Sequence, residues 1–194
     1  MGIRERIETA GLRLLSRPGR TSRFRGDILD KAGVGPDTNV IDVATAVGGM
    51  AFAAKERTGS VVAIDISKER IGIAKSDPRA RGIDFRVMDA ASTGFADKQF
   101  DVAINVLGLH EMTVDGARAA LAETRRIAKR MVVVEFGVTE WPLFWRIFKY
   151  VLGIIEPEGF FAFMEQDVGE MIETAGWRIE RREKSFPLVT YICS

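Results

Sequence analysis

Three aspartates stand at or just beyond the ends of three short apolar runs. Asp42 lies in Asn39–Val43, Asp65 closes Val61-Val62-Ala63-Ile64, and Asp89 follows Ile83–Val87. An ionised carboxylate accepts hydrogen bonds and donates none, which suits the hydroxyls and amines of a bound molecule. A fourth position adds acid–base chemistry. His110, the single histidine of the chain, and Glu111 sit in VLGLHEM, beyond the run Asp101–Val106. An imidazole with an unperturbed pKa of about 6.5 is the first candidate for a base near neutral pH, with Glu111 second. The competing reading of His110 is a packed or loop-bonded side chain.

The turn after the first run decides what the aspartates could hold. It reads Ala44-Thr45-Ala46-Val47-Gly48-Gly49. A pyrophosphate-binding turn wants G-x-G-x-x-G, so that bare backbone amides approach the phosphates. Here methyl groups occupy the first two glycine positions, which speaks against a nicotinamide dinucleotide. A nucleoside cofactor without phosphates, S-adenosyl-L-methionine, fits better. Asp65 is placed to accept both ribose hydroxyls and Asp89 to accept from the adenine amine, with Ile66 and Ala90 flanking the ring. Arg25 is a candidate partner for the methionine carboxylate. If position 46 needs a positive φ, alanine costs about 1–2 kcal/mol there. Each aspartate also has a purely structural alternative. Asp42 could hold the turn, Asp65 could cap the next helix, and Asp89 could be an ordinary loop carboxylate.

The elements that position these residues alternate. Strands are expected at Asn39–Val43, Ser60–Ile64, Ile83–Val87, Asp101–Val106 and Met131–Phe136. Helices are expected at about Gly48–Arg57, Lys68–Lys75 and Val114–Ala128. Such βα alternation implies a parallel sheet with helices on both faces, whose ligands bind at the carboxyl ends of the strands. Ahead of it, helical patterns cover residues 3–15 and Ser22–Ala32. After it come a helix at Asp167–Ala175 and two alternating runs, Trp177–Glu183 and Leu188–Cys193, joined through Ser185-Phe186-Pro187. That ending predicts a hairpin, and so one antiparallel strand. The chain of 194 residues, 46% hydrophobic and 28% charged, fits a single domain over 1–194 with a helical extension at 1–33. A net charge of +1 gives no global case for nucleic acid. One cysteine allows no internal disulfide, and the N-terminal stretch lacks a signal-peptide core, so the expected location is cytoplasmic. No metal-ligand set is expected.

NVIDVATAVGGMAFAAKER, VVAIDISKERIGIAK, FRVMDAASTGFADKQFDVAINVLGLHEM and MVVVEFG, in that order, cover roughly residues 37–138. Together they resemble the class I S-adenosylmethionine-dependent methyltransferases, most closely the ubiquinone and menaquinone C-methyltransferase branch. The resemblance implies a Rossmann-like, doubly wound α/β fold with a mostly parallel seven-stranded sheet and the last strand antiparallel. It also implies a first cofactor loop of Asp42, Ala44, Ala46 and Gly48, with Asp65 on the ribose, Asp89 on the adenine amine, and Asn105 and Val106 on the far wall.

Methyl transfer from a sulfonium needs alignment and exclusion of water, and a base only if the acceptor must lose a proton. The Asn- or Asp-Pro-Pro-aromatic motif of exocyclic-amino methyltransferases is absent, since Asn105 is followed by Val106-Leu107-Gly108. Nucleic acid is therefore not expected as acceptor. Residues 139–165 form an aromatic-rich insert, with eight of the chain's seventeen aromatic residues between Trp141 and Phe163. It reads as core packing or as a lid over an apolar acceptor pocket, with Trp141, Tyr150 and Glu165 as candidate contacts. Segments 1–25, with seven arginines, and 141–155 are candidates for peripheral membrane contact. The expected function is methylation of a small apolar or amphipathic acceptor, quinone- or lipid-like. The alternative is a non-catalytic module that binds S-adenosylmethionine or S-adenosylhomocysteine. The residues do not fix the oligomeric state.

Overall fold

The computed structural model describes residues 22–137, 140, 141, 143 and 162–194. Helix α1 spans Ser22–Lys31. The elements β1 Asn39–Val43, α2 Gly49–Lys55, β2 Ser60–Asp65, α3 Lys68–Ser76, β3 Asp84–Val87, β4 Phe100–Val106, α4 Val114–Ile127 and β5 Ala128–Phe136 follow in alternation. Helix α5 Val168–Thr174 and the hairpin β6 Ile179–Ser185 with β7 Leu188–Cys193 close the chain. The seven strands are ordered β3-β2-β1-β4-β5-β7-β6. Strands β1 to β5 pair in parallel, and β7 runs antiparallel to both β5 and β6.

Two-residue periodicity sorts the strand side chains into two cores. Val40, Ala63, Val102 and Val134 face one way and pack against α1, α2 and α3 through Ile28, Phe52 and Ile71. Ile41, Ile64, Ala103 and Val133 face the other way and pack against α4 and α5 through Leu121 and Ile172. Helices on both faces follow directly from strands that are apolar on both sides.

Local signals set the boundaries. Ser67 caps α3 through its hydroxyl, Thr113 caps α4, and Asp167 caps α5. Two sequence expectations shift. Strand β5 begins at Ala128 rather than Met131, because Ala128 and Arg130 pair with Phe100 and Val102, and Lys129 is held by Asp101 at 2.7 Å. Strand β6 begins at Ile179 rather than Trp177, because the Trp177 ring is buried and its Nε1 donates to the Leu121 carbonyl at 3.2 Å. The helix expected at residues 3–15 and most of the aromatic insert, Tyr150 included, lie outside the described residues. Among the described residues, no helix is long and apolar enough to cross a membrane.

Candidate functional site

Two adjoining cavities open at the carboxyl ends of the strands. The larger, about 450 Å³, lies over β2 and β3, with Asp65, Ile66, Met88, Asp89, Ala90 and Met112 in its wall. The smaller, about 260 Å³, lies between the β1 turn, α1 and the end of β4, with Arg25, Asp42, Thr45, Ala46, Val106 and Leu188 in its wall. Ala44, Arg70, Gly108 and Glu111 line both. The larger volume alone lies within the range of about 300–1,000 Å³ usual for small-molecule sites.

The turn between them is tied down from three strands. Asp42 is buried in β1, and its Oδ2 accepts from the Thr45 hydroxyl at 2.5 Å and the Ala51 amide at 2.9 Å. Burial pushes its carboxyl up to about 7, with those two hydrogen bonds pulling the other way. From β2, the Ile64 carbonyl accepts the Thr45 amide at 2.9 Å, and Asp65 Oδ2 accepts the Ala46 amide at 2.8 Å. From β4, Asn105 Nδ2 donates to the Val43 carbonyl at 3.0 Å. Asp42 and Asp65 thus hold the structure of the turn and also face the cavities.

The backbone here is strained. Ala44, Ala46 and Leu107 have φ of 56°, 50° and 57°, and all three line the smaller cavity. Among the described residues only one other non-glycine, Lys98, has a positive φ. Left-handed alanine and leucine are costly, and strain of this kind concentrates at functional sites. Gly108 lets the β4 loop close on the β1 turn, since a Cβ there would lie 2.7 Å from the Ala44 Cβ. Gly48 precedes α2 with φ 87° and lines neither cavity.

Asp65 has acceptor capacity to spare. Its Oδ1 accepts the Ser67 amide at 2.9 Å, and its Oδ2 accepts Ala46. A carboxylate offers about four lone-pair positions, so one remains on each oxygen. Asp89 is exposed and accepts the Ala91 amide on Oδ1 at 2.8 Å. Ile66 is 74% exposed beside it, an unusual setting for a large aliphatic side chain. Asn105 is buried behind Gly108 and lines neither cavity; its Oδ1 has no hydrogen-bond partner among the described residues. Arg25 is half-buried in the smaller cavity. Burial and the nearby Arg79 hold its guanidinium below the usual range, opposed by Asp42.

The two acid–base candidates separate. Glu111 lines both cavities but is ion-paired with Arg70 of α3. His110 lines neither. Its ring turns toward β5, where Nδ1 lies 2.8 Å from Oε1 of the fully buried Glu135 and the ring centroid is 5.0 Å from that of Phe136. Trp141 packs on Gly137 and on the Phe186 ring. Sequence reasoning missed Glu135, Thr45 and Arg70. The signal for Glu135 was a carboxylate inside the apolar run MVVVEF of a buried strand, where a charged residue needs a partner.

Residues 40–131 match the family described as a methyltransferase domain. The chain is 36% identical over 123 residues to a demethylmenaquinone methyltransferase of Renibacterium salmoninarum, covering 61% of this chain and 50% of that protein. It is 35% identical over 121 residues to the ubiquinone/menaquinone biosynthesis C-methyltransferase UbiE of Cupriavidus taiwanensis, covering 58% and 49%. The chain thus spans about half the length of these curated relatives. In fold it is similar to a crystal structure of a SAM-dependent methyltransferase from Aquifex aeolicus, with a TM-score of 0.71 at 17% identity over 95% of this chain and 97% of the other. The domain match, these relatives and the strand order agree: the chain is similar to the class I S-adenosylmethionine-dependent methyltransferases, and its curated relatives include members of the ubiquinone/menaquinone C-methyltransferase branch.

Proposed function

We propose that the protein transfers a methyl group from S-adenosylmethionine to a small apolar or amphipathic acceptor, quinone- or lipid-like. The observation that carries this reading is the Asp65 carboxylate, which keeps one acceptor position on each oxygen toward a cavity that also holds Asp89. Such a pair of acceptors fits a ribose diol and an adenine amine. Bound there, the cofactor supplies a sulfonium methyl already activated for displacement.

The chain's residues then have separable roles. Asp65 binds the ribose, Asp89 the adenine amine, and Ile66 and Ala90 cover the ring faces. In the smaller cavity the Arg25 guanidinium suits the carboxylate of a methionine, and the Asp42 carboxyl oxygens suit its ammonium. Ala44, Ala46 and Val106 shape the wall around that end. Gly48 starts the helix under the turn, and Asn105 fixes the β1 end against β4. His110 is the base for an acceptor that must lose a proton. Glu111, which lines both cavities and is ion-paired with Arg70, is the second candidate.

The apolar acceptor is supported by Phe24, Met50, Val106 and Leu188 in the smaller cavity and by the quinone substrates named for the relatives. The reading includes a cytoplasmic location, one domain with its extension and insert, and peripheral membrane contact through 1–25 or 141–155 to reach such an acceptor. Flotation with anionic vesicles tests the last point.

Titration calorimetry with S-adenosylmethionine, followed by incubation with demethylated quinols and lipid precursors, tests the whole. Binding plus a methylated product supports it; preferential binding of a nicotinamide dinucleotide overturns it. A non-catalytic binding module is the second reading, favoured by the alanines at two of the turn's three left-handed positions. Cofactor binding without a methylated product from any quinone or lipid extract would favour that module.

A further inference from the structure

Strand β1 carries one charged residue, and the strands beside it give that charge no help. Asp42 is 2% exposed and stands level with Ala63 of β2 and Ile104 of β4. A carboxyl group taken out of water at such a position favours its neutral form unless charges or hydrogen bonds compensate.

The compensation is one-sided. Oδ2 takes both hydrogen bonds, from the Thr45 hydroxyl and the Ala51 amide. Oδ1 takes none among the described residues. The only buried side-chain oxygen or nitrogen without a partner among those residues is Asn105 Oδ1, so Asp42 Oδ1 is open to the smaller cavity, whose wall Asp42 joins. The charges around the group divide. Arg25 of α1 favours ionisation and Asp65 at the end of β2 opposes it. Helix α2 contributes the Ala51 amide and β4 the apolar Ile104. Arg70 and Glu111 share the cavity wall as an ion pair, and Arg79 lies near Arg25. Burial outweighs the rest and pushes the carboxyl up to about 7. A cation that enters the smaller cavity meets Oδ1, and an opposite charge within about 4–6 Å strongly favours the carboxylate.

We propose that Asp42 couples cofactor binding to loss of a proton: its carboxyl is neutral in the free protein below neutral pH and ionises when the ammonium of the methionine end docks against Oδ1. This rests on the methyltransferase reading and adds a pH dependence to its cofactor site. The carboxyl O–H bond breaks, its electron pair stays on the carboxylate, and the proton goes to solvent. Binding that releases a proton strengthens as pH rises, so affinity for S-adenosylmethionine should increase from acidic to neutral pH.

Titration calorimetry at one pH in two buffers of different ionisation enthalpy counts the protons. At pH 6 the ligand's own α-amino group, ordinarily titrating at about 7.7–8.0, stays charged and adds nothing. Binding of S-adenosylmethionine should release about 0.9 proton at pH 6 and about 0.5 at pH 7, and affinity should be about fivefold weaker at pH 6. Two comparisons assign the release to Asp42. Asp42→Asn keeps an oxygen for Thr45 and Ala51 but has no proton to lose, so its release and its pH dependence over this range should vanish. The probe 5′-methylthioadenosine keeps the adenine and ribose but lacks the amino-acid end, so with the wild-type chain it should release almost none. A histidine ordinarily titrates in the same range, and His110 is unaltered in both comparisons. Release that persists in Asp42→Asn, or that methylthioadenosine reproduces in full, belongs to another group and overturns the inference. Should Asp42→Asn not fold, the methylthioadenosine comparison decides. Binding of S-adenosylmethionine at pH 6 without proton release overturns the coupling and leaves the methyltransferase reading standing. Absence of binding at every pH overturns both.

Discussion

Replacing Ala46 by glycine should stabilise the protein, although glycine is normally the destabilising residue. Ala46 has φ 50°, where its Cβ crowds the following carbonyl. Relief of about 1–2 kcal/mol, less the roughly 0.4–1 kcal/mol that glycine costs through the freer unfolded chain, leaves roughly 0.5–1 kcal/mol in favour of the variant. For a chain of this length that is a rise in Tm of about 1–4 °C. The Ala46 amide, which donates to Asp65, is retained, so the turn keeps its anchor. Ala44→Gly, at φ 56°, should behave alike, but the two sites are close enough to couple, so the double variant need not be additive. Two controls fix the sign. Ala53→Gly within α2 should lose about 1 kcal/mol. Gly48→Ala, at φ 87° with its new Cβ 2.8 Å from the Phe52 ring, should lose more. Thermal and urea unfolding measure all four. An Ala46→Gly protein that melts below the wild type, with both controls behaving as stated, would refute the claim that the turn is strained.

Three further outcomes are expected. Asp65→Ala should weaken S-adenosylmethionine binding by about tenfold or more, at about 1.5–3 kcal/mol for a charged hydrogen bond, and unchanged calorimetric affinity would remove it from the site. Asp42 should make the wild type less stable as pH rises. Its folded carboxyl is raised from 3.8 to about 7, so its contribution is full below about 3.8 and lost through about 7; Tm measured across that range should fall in the wild type and stay flatter in Asp42→Asn. His110→Ala should lower turnover by about 10²-fold or more with little change in cofactor affinity, whereas Glu111→Gln should change turnover only slightly; the reverse ranking in a methyl-transfer assay would reassign the base.

The fold was legible because its strands are apolar on both faces and its helices carry their own caps. Val61-Val62-Ala63-Ile64, short, β-branched and bounded by Gly59 and Asp65, reads as a buried strand, and Ser67 announces α3. The boundaries that shifted were decided by long-range pairing. Lys129 and Arg130 look like a helix end until Asp101 and Val102 are set beside them. That Asp65 and Asp89 line one cavity was readable because each stands at or just beyond the end of an apolar run, where the sheet opens. The Arg70–Glu111 pair was not, since the residues lie 41 positions apart and meet only through the β2-β1-β4 order. Glu135 was concealed as one letter within a strand. The strain at Ala44 was also hidden, because an alanine in a turn carries no mark of its φ.

That strain persists because the turn is over-determined. The register that sets Val43 against Ile64 also brings Asp65 within reach of the Ala46 amide, and Asn105 fixes the Val43 carbonyl from the other side. With Asp42 bonding both Thr45 and Ala51, residues 44–48 have little freedom to relax into an ordinary conformation. The arrangement therefore pre-forms the cavity walls, and it makes Asp65 a scaffold as well as the proposed acceptor for the ribose. Loss of affinity in Asp65→Ala mixes the two roles. Asp65→Asn separates them. Its amide oxygen can still accept the Ala46 amide, while its NH2 group, facing the Ser67 amide, supplies a donor where a ribose hydroxyl needs an acceptor. If Asp65→Asn melts near the wild type yet binds cofactor as weakly as the alanine variant, the carboxylate acts on the ligand; if the two losses track each other, it acts through the turn.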